Sequence, residues 1–135
     1  MSSSRTDKNV SMRTPLANVR RLGAAHGGTS DFFRQRLTAV AMALLMIPVA
    51  VIVIMLVGRD QASAQALLGS PVVAILLTLF IIAGCVHMKI GVQVVIEDYV
   101  HSEAAKISAI LANNFFSFAV GLASIYAIFK LSVGS

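Results

Sequence analysis

Length, composition and charge already narrow the class of this protein. The chain has 135 residues, of which 57% are hydrophobic and 13% charged, and its formal net charge is +5. An average soluble domain is about a quarter charged, so these values exclude an ordinary soluble domain, and such hydrophobicity also excludes intrinsic disorder. The single cysteine, Cys85, excludes a secreted scaffold held by disulfides. A polytopic membrane protein remains.

The N-terminal segment, residues 1–29, is polar and basic, and we expect it to be a flexible cytoplasmic leader. Only Asp7 and Asp31 oppose the seven Lys and Arg residues that precede residue 37, which are Arg5, Lys8, Arg13, Arg20, Arg21, Arg34 and Arg36. A basic segment before a long apolar run is the positive-inside signal of a membrane protein, which favours a cytoplasmic tail over nucleic-acid binding. The segment lacks a clear amphipathic helix, so we expect the bacterial inner (cytoplasmic) membrane rather than the mitochondrial inner membrane.

Three apolar segments follow the leader and predict an all-α integral membrane fold with three transmembrane helices. Each segment, as a helix, is long enough to cross a hydrocarbon core of about 30 Å. Within an expected membrane anchor of residues 30–135, the spans lie at about 37–57, 71–96 and 107–131. Thr38 is the only polar residue of the first span.

The lysines and arginines outside the spans predict the orientation. With the N-terminus in the cytoplasm, the inner side holds the seven basic residues named above and Lys106, whereas the outer side holds Arg59 and Lys130. Cytoplasmic segments carry the excess of Lys and Arg in membrane proteins. We therefore expect a cytoplasmic N-terminus, a cytoplasmic loop at 97–106 and a periplasmic C-terminus.

His87 lies deep in the second span, where an ionisable group costs about 2.5–3.5 kcal/mol and needs a partner or a function. It is either a neutral histidine bonded to a neighbouring helix, or a haem or metal ligand, or a proton relay. Gly84 and Gly91 fall on the same helical face as His87, at about 100° per residue. They would let a neighbouring helix or a flat macrocycle approach closely, and their combination with His87 favours the macrocycle. A haem would need its second axial ligand from another chain.

Three polar residues at the cytoplasmic boundary are candidates for binding anionic groups or a quinone. Asp98 lies three turns after His87 on the same face, and Tyr99 follows it. A phenol beside a carboxylate could hydrogen-bond a quinone carbonyl and deliver protons to it, although both residue types are also common at membrane boundaries. Arg36 is either a positive-inside anchor or a partner for an anionic group, such as a haem propionate or a reduced quinone.

The remaining polar residues of the spans have structural interpretations. Lys89 points about 160° away from His87 around the helix and is expected to reach toward the cytoplasmic head groups. Asn113 and Asn114 are expected to donate hydrogen bonds between helices, and Cys85 to pack without further chemistry.

The segment from His87 to His101, HMKIGVQVVIEDYVH, resembles the second membrane helix of the succinate dehydrogenase hydrophobic anchor subunit, the D subunit of complex II. That family carries a histidine, a glycine four residues later, and Asp-Tyr eleven and twelve residues after the histidine. Residues 28–39, GTSDFFRQRLTA, are similar to the start of the family's first helix, with its Gln-Arg-x-Thr-Ala. The resemblance covers about residues 20–131.

The resemblance implies a function for the chain and a role for each matched residue. The chain would anchor the flavoprotein and iron–sulfur subunits of succinate dehydrogenase, share haem b with the cytochrome b subunit, and help to form the ubiquinone-reduction site. His87 corresponds to an axial ligand of haem b, and Arg36 to an arginine near the haem propionates and the quinone. Tyr99 corresponds to the tyrosine that hydrogen-bonds ubiquinone, and Asp98 to its neighbour in that site. As a non-flavin subunit of an oxidoreductase, the chain would hold no succinate chemistry itself.

Two alternatives to this interpretation stay open. The chain could be a small oligomeric membrane transporter or holin-like protein with His87 and Lys89 along a path. A transporter, however, needs intramembrane carboxylates, and Glu97 and Asp98 lie at the edge of the membrane. The chain could also be an anchor without haem, in which His87 is structural. Contact with membrane lipid is common to all interpretations, and an anchor is compatible with higher oligomers of the complex.

Overall fold

The computed structural model describes residues 25–134, and within them every regular element is an α-helix. The helices are α1 (Ala25–Leu56), α2 (Gln61–Leu68), α3 (Pro71–Tyr99) and α4 (Glu103–Val133). The three long helices are apolar and long enough to cross a membrane, with candidate spans at Gly28–Leu56, Pro71–Tyr99 and Glu103–Val133. The predicted all-α fold with three transmembrane helices is confirmed. Residues 1–24, which hold most of the predicted leader, lie outside the described residues.

The helices extend beyond the predicted spans at most of their ends. Helix α1 begins at Ala25, inside the segment 1–29 that we expected to be the leader. Helix α3 begins at Pro71 as predicted but continues to Tyr99, so Asp98 and Tyr99 are helical rather than part of a connector. Hydropathy locates the part of a helix that lies in hydrocarbon, whereas a helix continues as long as its backbone hydrogen bonds do.

The segment between the first two predicted spans, to which the sequence analysis assigns no element, contains α2. Gly58 has a φ of +76°, which lets the chain turn after α1. Asp60 precedes α2 in an extended conformation, and the Ser63 hydroxyl donates a hydrogen bond to its carboxylate. This hydrogen bond lowers the pKa of the Asp60 carboxyl below its ordinary value. Residues 61–68 are mostly Gln, Ala and Leu, which are good helix formers, so composition carried a signal for this helix.

Helix α3 lies between α1 and α4 and packs against both. Both contacts are antiparallel, because Gln35 lies near His87 and Met42 near Gly84, and because Asn113 bonds the Lys89 carbonyl. Four apolar residues are buried in this arrangement, namely Ile52, Ala74, Ala83 and Ile90. Most of the large apolar side chains on α1 and α4 are exposed, as lipid or further subunits require.

At the end of the bundle that holds α2, the backbone after α2 packs against the backbone near the end of α4. Gly69 follows α2, and a Cβ atom placed there would overlap the backbone carbonyl of Leu131 near the end of α4. The Gln65 carbonyl oxygen lies 3.1 Å from the same Cβ position and restricts it further. Glycine is therefore required at position 69 by close approach and not by a turn.

Replacing Gly69 with alanine is expected to destabilise the protein, because the carbonyl that meets the new methyl group is backbone and cannot rotate away. Overpacking of this kind costs about 1–3 kcal/mol. We expect a lower midpoint of thermal unfolding for the detergent-purified complex that carries Gly69→Ala. Gly28→Ala is the matched control, since nothing lies within 4 Å of a Cβ at Gly28. Equal midpoints for the two variants would contradict the close contact.

Candidate functional site

His87 is held against α1 through one nitrogen of its ring. Its Nδ1 atom lies 3.3 Å from the backbone oxygen of Gln35 and 3.3 Å from Oγ1 of Thr38. The Thr38 hydroxyl is itself 2.8 Å from the Arg34 oxygen, to which it can donate its only hydrogen. A carbonyl oxygen accepts but cannot donate, so the bond to Gln35 requires the proton on Nδ1.

This arrangement has a chemical consequence for the other ring nitrogen. With the proton on Nδ1, the Nε2 atom of the neutral imidazole carries a lone pair. Histidines that bind metals typically donate their second nitrogen to a carbonyl or carboxylate, which fixes the tautomer and the ring orientation. Contacts of this kind occupy Nδ1 of His87, so the residue has the geometry expected of an axial ligand.

His87 also lines a cavity of about 320 Å³ with Phe32, Gln35, Arg36 and Ala39. The guanidinium carbon of Arg36 lies 5.1 Å from the centre of the Phe32 ring, a cation–π contact. An imidazole and a guanidinium therefore share one space between α1 and α3. Arg36 is exposed, so its charge can meet an anionic group from outside this chain.

The two glycines predicted beside His87 both face α1. A Cβ atom at Gly84 would lie 3.8 Å from the Met42 methyl carbon, and one at Gly91 would lie 3.8 Å from the Gln35 amide nitrogen. These are ordinary contact distances, so neither position requires glycine in order to accommodate α1. Both lie on the α1 side of α3, as His87 does, and their packing against a haem stays a prediction.

Asp98 and Tyr99 form the last turn of α3, and both are exposed. Tyr99 is 77% exposed, which leaves its phenol open to a ligand or to another subunit. Neither residue lines the cavity that holds His87 and Arg36. Within this chain the predicted residues therefore divide into two groups, His87 with Arg36 and Asp98 with Tyr99.

The opposite side of α3 is structural. The Asn113 amide, 7% exposed, donates to the Lys89 carbonyl at 2.8 Å, which confirms the predicted hydrogen bond between helices. For Asn114 the predicted donation stays a prediction, and its buried Oδ1, which is an acceptor, has no hydrogen-bond partner among the described residues. The two helices also lie close together at Gly121 of α4, where a Cβ would lie 3.3 Å from Sγ of Cys85.

The chemistry of the donor set limits what this site can hold. Within residues 25–134, no three His, Cys, Asp or Glu side chains converge on a point where a metal ion could bind. A haem iron, in contrast, takes four ligands from its macrocycle and needs one protein ligand on each face. One imidazole with an engaged Nδ1 fits that requirement.

Gln35 and Thr38 were not identified from the sequence as contacts of His87. One signal was available, because Thr38 is the only polar residue of a span that otherwise consists of apolar residues. The second contact is a backbone carbonyl, which no side-chain pattern reveals. Its position depends on the register between α1 and α3.

Comparison with known proteins gives a family for this fold. Residues 10–121 match the family described as "Succinate dehydrogenase/Fumarate reductase transmembrane subunit". The chain is 32% identical over 122 residues to a succinate dehydrogenase hydrophobic membrane anchor subunit of Paracoccus denitrificans, which covers 90% of this chain and 94% of that protein. It is 27% identical over 117 residues to the protein of the same name from Rickettsia bellii (strain RML369-C), with 87% and 94% covered.

No solved structure matches the chain at a significant level. The family match covers most of the sequence, including all of α1 and α3 and more than half of α4. It favours the anchor interpretation over the small transporter or holin-like alternative. The chain belongs to the family of succinate dehydrogenase and fumarate reductase transmembrane subunits.

Proposed function

We propose that this multi-pass membrane protein, as the hydrophobic anchor of a succinate dehydrogenase, shares haem b with a cytochrome b subunit and forms part of the ubiquinone-reduction site. The observation that carries the proposal is the contact of His87 Nδ1 with the Gln35 carbonyl and the Thr38 hydroxyl, each at 3.3 Å. That contact leaves Nε2 with the lone pair that an axial ligand needs. Bound haem b supplies a one-electron redox centre.

The residues of this chain orient and neutralise the groups that they bind. His87 would hold the haem through Nε2, and its contacts on Nδ1 would fix the plane of the imidazole ring. Arg36 provides a positive charge beside the same cavity, suited to a haem propionate or to a reduced quinone. Gly84 and Gly91 lie on the same face and would pack against the macrocycle.

Ubiquinone is the substrate of the proposed site, with Tyr99, Asp98 and Arg36 as its contacts in this chain. The Tyr99 phenol donates a hydrogen bond to a quinone carbonyl and, with the Asp98 carboxylate beside it, delivers protons to the quinone. The exposure of both side chains supports this role, because each must meet a molecule from outside this chain. The two electrons come from succinate through the iron–sulfur subunit.

A shared haem requires a partner. Among the described residues, the only other histidine with a described side chain is His101, which lies exposed beyond the end of α3. A second protein ligand to the haem would therefore come from the cytochrome b subunit. The flavoprotein and iron–sulfur subunits bind on the side where α1 begins and α3 ends. In this orientation the N-terminus is cytoplasmic, the C-terminus is periplasmic and the membrane is the bacterial inner membrane.

The test of this function is a purification through an affinity tag on this chain, followed by a dithionite-reduced minus oxidised visible spectrum. We expect the three other subunits to co-purify, and a b-type α-band that corresponds to near one haem per copy of this chain. Co-purification without a haem band would leave the anchor role intact and remove the haem. Purification of the chain alone would contradict the whole proposal.

A further inference from the structure

A second cavity adjoins the His87 cavity on the side of the helix ends. Its volume is about 320 Å³, and it lies between the start of α1 and the end of α3. Four of its lining residues are polar, and we call this space the polar cleft: Asp31 and Gln35 from α1, and Gln93 and Glu97 from α3. A space of this volume with several polar groups satisfies the requirements for holding water.

The polar groups of the cleft connect its outer end to His87. At that outer end, the Gln93 amide donates to the Glu97 carboxylate at 2.8 Å. Further in, Gln35 and Phe32 line both the polar cleft and the His87 cavity, so the two spaces share a wall. The Gln35 backbone oxygen then lies 3.3 Å from Nδ1 of His87. Polar groups therefore lie at the outer end of the cleft and at the wall that the cleft shares with the cavity that holds Arg36.

We infer that the polar cleft is the route by which protons reach the quinone beside Arg36, with Glu97 as the group that takes them up. The inference rests on the proposed function. Reduction of a quinone to a quinol consumes two electrons, here from the iron–sulfur subunit, and two protons, which form the two O–H bonds of the quinol. Hydrocarbon supplies no protons, so a path of water and polar groups must lead in from the aqueous phase.

The charges around the cleft favour Glu97 over Asp31 as the carrier. Arg34 lies 3.9 Å from Asp31, so the Asp31 carboxylate already takes part in an ion pair. Glu97 accepts from the neutral Gln93 amide and has no ion-pair partner within 4.0 Å among the described residues. Helix α4 contributes no residue to the lining. Protonation and deprotonation of Glu97 therefore do not break an ion pair.

The test replaces Glu97 with glutamine in the intact complex and measures quinone reduction by succinate as a function of pH. Glutamine keeps the size and polarity of the side chain but cannot carry a proton. We expect kcat to fall on the order of tenfold at alkaline pH, where protons are scarce, and to approach the wild-type value at acid pH. The KM for quinone should not change. Added formate, a small weak acid, should restore part of the rate.

Three comparisons complete the test. Glu103→Gln removes the same charge from the exposed start of α4, outside the cleft, and should leave the pH profile unchanged. Gln93→Met keeps Glu97 but removes the amide that bonds it, and should give a smaller loss with the same pH dependence. Succinate oxidation by an artificial acceptor should be the same in all variants, because it does not use the quinone site.

A wild-type pH profile in both Glu97→Gln and Gln93→Met would overturn the inference, as would an equal loss in Glu103→Gln. If Glu97→Gln fails to assemble, Gln93→Met decides alone. These results are distinct from a failure of the proposed function, which would appear as absent haem or absent quinone reduction in the unmodified complex.

Discussion

A complex that carries His87→Ala is expected to lose most of its b-type haem absorbance while it still contains the anchor chain. The substitution removes the Nε2 lone pair, and it leaves Thr38 and the Gln35 carbonyl without the imidazole that they orient. The measurement is the ratio of haem to protein, from dithionite-reduced minus oxidised spectra of the purified complex. His101→Ala is the matched control, since His101 is exposed beyond α3 and should keep a full complement of haem.

Thr38→Val provides an intermediate step in the same series. It removes one of the two acceptors near Nδ1 and keeps the carbonyl of Gln35. Loss of a partner of this kind weakens metal binding by about 10–100-fold, so we expect haem that is retained less firmly. A weaker bond on Nδ1 also makes the imidazole a poorer electron donor, so the midpoint potential of the haem should rise in a redox titration.

Unchanged haem in His87→Ala would remove the ligand assignment and support an anchor without haem.

Tyr99→Phe is expected to lower the rate of quinone reduction by about tenfold or more, because it removes the phenol that donates to the quinone carbonyl. Succinate oxidation by an artificial electron acceptor should be unaffected, since those electrons leave the complex before the quinone site. The two assays on one preparation separate a loss of quinone chemistry from a loss of assembly.

Tyr126→Phe is the natural control for this experiment. Tyr126 is the other tyrosine of the chain, lies on α4 toward the opposite end of the bundle, and is also exposed. Its substitution should leave both activities unchanged. Equal activity of Tyr99→Phe and the unmodified complex in both assays would exclude Tyr99 from the mechanism.

The features that depend on residues along one helix were predictable from the sequence. Hydropathy located the three spans, and helical periodicity placed Gly84 and Gly91 on the side of α3 that carries His87. Features that depend on two helices were not predictable, because sequence does not give the register between them. The contact of His87 with Thr38 and the division between Arg36 and Tyr99 both belong to this class. Asn113 and Asn114 looked equivalent, yet only Asn113 faces the Lys89 carbonyl.

Helix α2 was missed for a different reason. Its residues lie between two long apolar spans, and hydropathy, which locates the spans, gives no signal for a short helix outside them, whereas helical propensity does. The sequence alone would predict that position 69, in the segment between two spans, tolerates substitution. In the structure the backbone carbonyls of Leu131 and Gln65 both lie within contact distance of a Cβ at this position.

The use of the Gln35 backbone oxygen to orient His87 has a genetic consequence. No amino-acid substitution at position 35 deletes a carbonyl group, so this one of the two acceptors near Nδ1 is protected against point mutation as long as α1 keeps its place beside α3. Substitutions at position 35 would report only on the Gln35 side chain, which lines the polar cleft. A mutational scan would therefore underestimate how much of the ligand's orientation this position provides.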